Sequence, residues 1–199
     1  MSTSNLGSAP VEDSKRTFLL EAALGVFARY GYRKTSMDEV ARAAQISRQG
    51  LYLHFPNKEE LFRATVRHTM ESSLSAANHC LARLDLPLTE RLVSAFDAWV
   101  GHYIGRFAAD AADLIEAAEG LLMTEVLQHQ ARFAETLTEC LREAGIAGAY
   151  KVTGVTPREV AETLLAASKG LKHVCQTRDA FLESFAVAAR IVCTPLEIR

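Results

Sequence analysis

The chain has 199 residues, 49% apolar and 23% charged, with a formal net charge of −2. That length suits one sizeable domain or two small ones, at roughly 100–200 residues per domain, and the composition is that of an ordinary soluble globular protein. The four cysteines, Cys80, Cys140, Cys175 and Cys193, show neither a C-x-x-C pair nor metal-ligand spacing, and read as reduced thiols of a cytoplasmic protein. No basic start precedes an apolar run, and no window approaches the apolar length a membrane span needs, which argues against export and insertion.

The small net charge hides an asymmetry. Residues 14–67 hold 10 Lys+Arg against 5 Asp+Glu, whereas residues 68–199 hold 12 against 17. A cationic first third on an anionic remainder is the balance expected of a DNA-binding head carried by a body with another task.

Residues 1–13 are small and polar without period and read as a disordered tail. From Ser14 the apolar residues Phe18, Leu19, Ala22, Ala23, Val26, Phe27 and Tyr30 recur at helical steps, and Gly31 follows as a left-handed cap. The connector Tyr32-Arg33-Lys34-Thr35 leads into Ser36-Met37-Asp38-Glu39, a capping box in which hydroxyl and carboxylate satisfy each other's backbone N–H. Val40, Ala43 and Ala44 give this second helix a narrow apolar face. Ser47 caps a third short helix, which turns Leu51 and Phe55 inward and Arg48, Gln49, Tyr52 and His54 outward. A fork-shaped cation, an amide, a phenol and an imidazole on one face suit phosphates and base edges. Pro56-Asn57-Lys58-Glu59-Glu60 ends that helix and starts a long fourth one, expected to run towards Leu84.

The run from Arg16 to Val66 resembles the N-terminal DNA-binding domain of the TetR family of transcriptional regulators. The likeness rests on Thr35-Ser36-Met37-Asp38-Glu39-Val40-Ala41, on Ser47-Arg48-Gln49-Gly50-Leu51-Tyr52 with His54-Phe55, and on Pro56-Asn57-Lys58-Glu59-Glu60-Leu61, in order and at matching spacing. One departure is Gln45, where the family usually has glycine; a Cβ there has a cost if the turn needs positive φ. The resemblance implies an all-α protein: a three-helix, helix-turn-helix DNA-binding domain over residues 14–57, then a six-helix ligand-binding and dimerisation domain over residues 58–199. It makes the third helix the recognition helix, with Arg48, Gln49 and Tyr52 towards the major groove and Gly50 allowing close backbone approach. It gives phosphate contacts to His54, Thr35, Ser36, Tyr52 and Lys58.

The remainder is helical in pattern and carries no motif. A fifth helix is expected from Thr89 to Phe107, a short one from Asp110, a longer one from about Leu121 to Ala144, a glycine-rich loop over residues 145–155, and two last helices over about 157–175 and 178–193. Thr156-Pro157-Arg158-Glu159 is a strong start signal. In the family the last pair packs against its copy, so a homodimer through residues of about 157–193 is implied. The implied cavity in the body has candidate lining residues in Trp99, His102, Tyr103, Arg106, Glu116 and Met123, with Glu119 and His129 beside them; helical aromatics are core more often than ligand wall.

An enzyme reading finds no glycine-rich phosphate loop, no G-x-S-x-G and no H-E-x-x-H. A metal- or redox-responsive regulator is the other alternative, through His79, Cys80 and His102, although dispersed cysteines usually serve as small buried hydrophobes. The expectation is therefore a cytoplasmic, homodimeric, ligand-released repressor. Its partners are a pseudo-palindromic double-stranded DNA operator and an unidentified small molecule; it has no cofactor, no catalytic residue and no membrane contact.

Overall fold

The computed structural model describes residues 9–105 and 111–197, and these residues form an all-α protein with no strand among them. They fall into two compact units, one within Met1–Thr69 and Phe107–Met123, the other within Met70–Arg106 and Thr124–Arg199.

In the first unit, α1 spans Ala9–Lys34. It begins five residues before Ser14, so the expected tail is helical from Ala9, while residues 1–8 lie outside the described residues. Pro10 stands in the first turn, where a missing N–H has no helical partner to lose. At Gly31 the backbone leaves the helix with φ 79° and ψ 170°, a region closed to residues with a Cβ.

Helix α2 (Met37–Ala43) starts on the complete capping box of Ser36 and Glu39. It ends in a Schellman motif: the Ile46 N–H donates to the Ala41 carbonyl at 3.0 Å and the Gln45 N–H to the Arg42 carbonyl at 3.2 Å. Gln45 supplies the left-handed residue, at φ 55°. Helix α3 (Arg48–His54) starts on Ser47, whose hydroxyl accepts the Gly50 N–H at 2.9 Å. Helix α4 (Lys58–Leu81) follows, with Asn57 accepting the Glu60 N–H at 2.8 Å.

These short helices hold because they share one core. Phe27, Val40, Leu51 and Leu61 are at most 1% exposed, and Leu19, Leu20, Ala23, Phe55 and Phe62 complete the cluster. Phe27 meets Phe62 edge-on at 5.1 Å. Two residues of the expected α1 face turn outward, Phe18 and Tyr30, and Leu20 takes a place inside. In α2, Met37, Val40 and Ala41 turn inward, and Ala43 is exposed. Against the same core pack Leu114, Ala117, Ala118 and Leu121 from the first half of α6 (Ala111–Glu143), a helix whose backbone breaks at Leu122 with φ −138°. The expected step between a short and a long helix at about residue 121 is this break.

The second unit contains the rest of α4, then α5 (Leu88–Trp99), a 3-10 turn Gly101–Tyr103, the second half of α6, the single turn α7 (Ile146–Ala149), α8 (Pro157–Val174) and α9 (Arg178–Glu197). Phe96 lies 4.2 Å from Phe185 and 5.4 Å from Phe133, centre to centre, with Leu74, Leu92, Leu137, Leu164 and Phe181 buried around them. α8 opens on the Thr156–Glu159 capping box with proline in the first turn. Buried Arg91 donates Nε to the Leu81 carbonyl at 2.8 Å, closing the C-terminus of α4. Its other nitrogen reaches Cys140 Sγ at 3.3 Å, and burial raises that thiol's pKa.

The expected fifth helix is shorter than its apolar pattern. It stops at Trp99, where Val100 leaves helical geometry at φ −142°; at Gly101, which follows, a Cβ would lie 2.7 Å from Asp97 Oδ1 and 3.2 Å from the Phe181 ring. Within the expected loop 145–155, Ile146 is fully buried and nucleates α7.

Candidate nucleic-acid interface

Helix α3 sorts its side chains cleanly. Leu51 is fully buried and Phe55 is 4% exposed, whereas Arg48, Gln49, Tyr52, Leu53 and His54 face solvent. The sorting follows from the i, i+4 spacing of the two apolar anchors, which leaves the intervening positions outside. Arg48 forms an ion pair with Asp38 at 3.1 Å, and its guanidinium lies 5.6 Å from the centre of the Tyr52 ring. Those two contacts hold the fork of Arg48 over α3 while leaving 66% of its side chain exposed. A Cβ added at Gly50 would meet Ser47 Oγ at 3.2 Å, so glycine lets the capping serine close over the start of α3.

The expected phosphate contacts divide. Ser36 is exposed, but its hydroxyl already exchanges hydrogen bonds with Glu39, donating to Oε2 at 2.8 Å and accepting the Glu39 N–H at 3.3 Å. These bonds from Ser36, its backbone N–H first, hold the Glu39 carboxyl below its ordinary pKa. Thr35 is only 3% exposed and donates its hydroxyl to the Gly31 carbonyl at 2.7 Å, so it fastens the end of α1. Lys58 Nζ donates to the carbonyls of Tyr32 and Arg33 at 3.0 and 3.1 Å and sits 4.7 Å from the centre of the Tyr32 ring. Of its three N–H donors one is left over.

Sequence reasoning missed the other clamp on the connector. Arg33 donates its backbone N–H to Asp113 Oδ2 at 2.8 Å, pairs through Nε with the same carboxylate at 3.2 Å, and reaches both Glu116 oxygens at 3.1 Å. Glu116, expected on a ligand wall, therefore belongs to the first unit as an ion-pair partner. No local pattern signals a contact between positions 80 residues apart.

Of the other expected ligand-wall residues, Met123 also belongs to the first unit and is 46% exposed. Arg106 and the side chain of His102 lie outside the described residues. Tyr103 sits in the 3-10 turn, not on α5, and its hydroxyl bonds Ser73 Oγ at 2.8 Å. Trp99, stacked on Phe133 at 4.5 Å, lines a cavity of about 140 Å³ with Val100, Gln130, Leu165, Ser168, Lys169 and Lys172. The α8 lysines were invisible as candidates because, on an amphipathic helix, lysine normally marks the solvated face. His129 is buried, with Nε2 3.1 Å from Glu71. Among the described residues no group of three His, Cys, Asp or Glu is placed to hold a metal ion, and no helix is long and apolar enough to cross a membrane.

A capped pair of short helices with a polar outer face on the second defines a helix-turn-helix motif. Residues 19–65 match the model of the bacterial regulatory proteins of the tetR family. The chain is 34% identical over 93 residues to the HTH-type transcriptional activator FasR of Mycolicibacterium smegmatis, covering 47% of this chain and 42% of that protein. It is 43% identical over 47 residues to the probable acrEF/envCD operon repressor of Escherichia coli, covering 24% and 21%. These matches thus span less than half the length of the curated relatives. The fold extends further: a transcriptional regulator from Rhodococcus sp. Rha1 superposes with a TM-score of 0.67 at 18% identity, covering 91% of this chain and 96% of that one. Residues 19–65 thus carry a DNA-binding domain of the tetR family, and the described chain shares the fold of that solved regulator.

Proposed function

We propose that this protein is a cytoplasmic DNA-binding transcriptional regulator that grips a pseudo-palindromic operator as a homodimer and is released when a small molecule occupies its body. The observation that carries the reading is α3: Leu51 and Phe55 are buried, and Arg48, Gln49 and Tyr52 stand exposed on the other side. Arg48 pairs bidentately with guanine or a phosphate, Gln49 with adenine, and the Tyr52 ring supports the Arg48 fork. Ser36, His54 and the remaining N–H of Lys58 contact phosphates. Thr35 acts from beneath by fixing the connector that places Ser36.

One recognition helix reads too few base pairs for an operator, so two copies bind half-sites about one DNA turn or a multiple apart. Release requires the ligand to prefer the conformation that cannot span both half-sites. The repressor reading follows the named E. coli relative, and FasR, an activator, marks the opposite sense. A promoter-reporter assay with the gene deleted decides the sign: expression rises for a repressor and falls for an activator.

Operator titration with footprinting tests the interface. Arg48→Ala or Gln49→Ala weakens specific binding by about 1–3 kcal/mol and relaxes base choice at one position of each half-site. Lys58→Ala weakens all sequences alike and flattens the salt dependence by about one unit per protomer. If all three variants bind the wild-type operator with unchanged affinity and footprint, α3 is not the reading head.

A further inference from the structure

The cavity beside Trp99 has a composition that names its occupant. Its walls are the indole of Trp99 with Val100 and Leu165, and its rim carries Lys169 and Lys172, one turn apart on α8, with no carboxylate among the lining residues. Lys169 Nζ donates to Gln130 Oε1 at 3.2 Å, which holds one ammonium at the rim, while Ser168 turns its hydroxyl to the Leu165 carbonyl at 2.8 Å. Two cations above an apolar floor select an anionic head on a flat apolar body. An ammonium holds a carboxylate through charge-assisted bonds, and an aromatic ring recovers the contact area of the indole. At about 140 Å³ the space is that of a single six-membered ring, since apolar cavities of roughly 150 Å³ take up benzene. A long acyl chain overfills it.

We propose that this cavity binds a small monocyclic aromatic carboxylate of benzoate size, with the ring on Trp99 and Leu165 and the carboxylate on Lys172 and Lys169. The assignment deepens the reading of the body as a ligand-responsive module and rests on it for its regulatory meaning.

The chain contains one tryptophan, and it lines this cavity, so its emission reports on this site. The test titrates the full-length protein with benzoate, with the neutral isostere benzamide and with palmitate, following Trp99 fluorescence. Each titration is repeated on Lys172→Ala and Lys169→Ala, both exposed positions whose truncation leaves the core intact, with far-UV circular dichroism as the folding check. The expected result is a saturable change with benzoate at millimolar concentrations or below, weakened roughly ten-fold or more in Lys172→Ala and in benzamide. The proposal is overturned by the absence of a saturable change, by equal binding of benzoate and benzamide, or by a lysine-dependent response to palmitate with none to benzoate. A parallel operator-release assay separates the two readings. Benzoate that binds at Trp99 without releasing DNA leaves this site standing and removes its regulatory role. A different small molecule that releases DNA with Trp99 emission unchanged, in a protein that does not bind benzoate, removes this site and keeps ligand release.

Discussion

At Gln45 the chain adopts φ 55°, the single positive φ of a residue other than glycine among those described. The left-handed region costs an L-residue roughly 1–2 kcal/mol, because Cβ crowds the following carbonyl. The Schellman motif closing α2 enforces that conformation, since the N–H groups of Gln45 and Ile46 must both turn back to α2 carbonyls. Gln45→Gly therefore stabilises the protein by up to about 1 kcal/mol, after the added flexibility of glycine in the unfolded chain is set against the relieved strain. Thermal unfolding reads this as a rise in Tm, and an unchanged or lower Tm contradicts the strain. The sequence marked this position only through the resemblance to a family that usually has glycine there. Thr35 and Lys58 were less so: a hydroxyl and an ammonium beside a DNA-facing helix look like phosphate ligands, yet their first partners are the carbonyls of Gly31, Tyr32 and Arg33. Residue type told what these groups can bond, and only the folded connector told which acceptor lies nearest.

The start of α2 couples a helix to pH. Glu39 accepts the Ser36 N–H and hydroxyl, each at 2.8 Å, and its pKa is lowered from 4.5 as a result. A carboxyl whose folded pKa is depressed adds stability that is fully present above its unfolded value and is lost as pH falls through the folded one. The carboxylate half of the capping box thus supports α2 at neutral pH and weakens in acid. Ser36→Ala removes the serine side of the box and costs about 1 kcal/mol at pH 7. The deficit relative to wild type shrinks as pH drops below the ordinary glutamate range, where the Ser36 hydroxyl loses its ionised acceptor and keeps only the bond from the Glu39 N–H. Urea unfolding at pH 7 and pH 3 measures both gaps, and a deficit that stays constant between them refutes the coupling. Caps were the most legible elements, since each is a local pattern of three or four residues that the backbone obeys in place. The end of α5 was not, because the apolar pattern runs on through Val100, Tyr103 and Ile104 while the backbone leaves the helix at Val100.

For the whole molecule the open quantity is how many copies act together. The fold sorts the apolar residues of α8 and α9 into two faces. Val160, Leu164, Phe181, Phe185 and Ala189 turn into the core. Gly170 and Val174 on α8 and Val187 and Ile191 on α9 remain outside, with Val174 77% and Ile191 66% exposed. Periodicity could not separate these sets, because a helix buried on one side by its own chain and on the other by a copy is apolar nearly all round. Apolar residues left outside on two consecutive helices are what an interface between copies requires, and burying them stabilises association by about 25 cal/mol per Å² before the cost of lost freedom. Gly170 has open space around its Cβ position, so a side chain there leaves the protomer fold intact. Gly170→Glu and Ile191→Asp each place a carboxylate on this face, where it has no partner once water is excluded. Light scattering is expected to show a dimer for the wild type and monomers for both variants, with helical content preserved. Operator affinity falls roughly 100-fold or more in parallel, because the second half-site is no longer held at high effective concentration. Variants that stay dimeric place the interface elsewhere, and monomers that keep full operator affinity show that one recognition helix suffices.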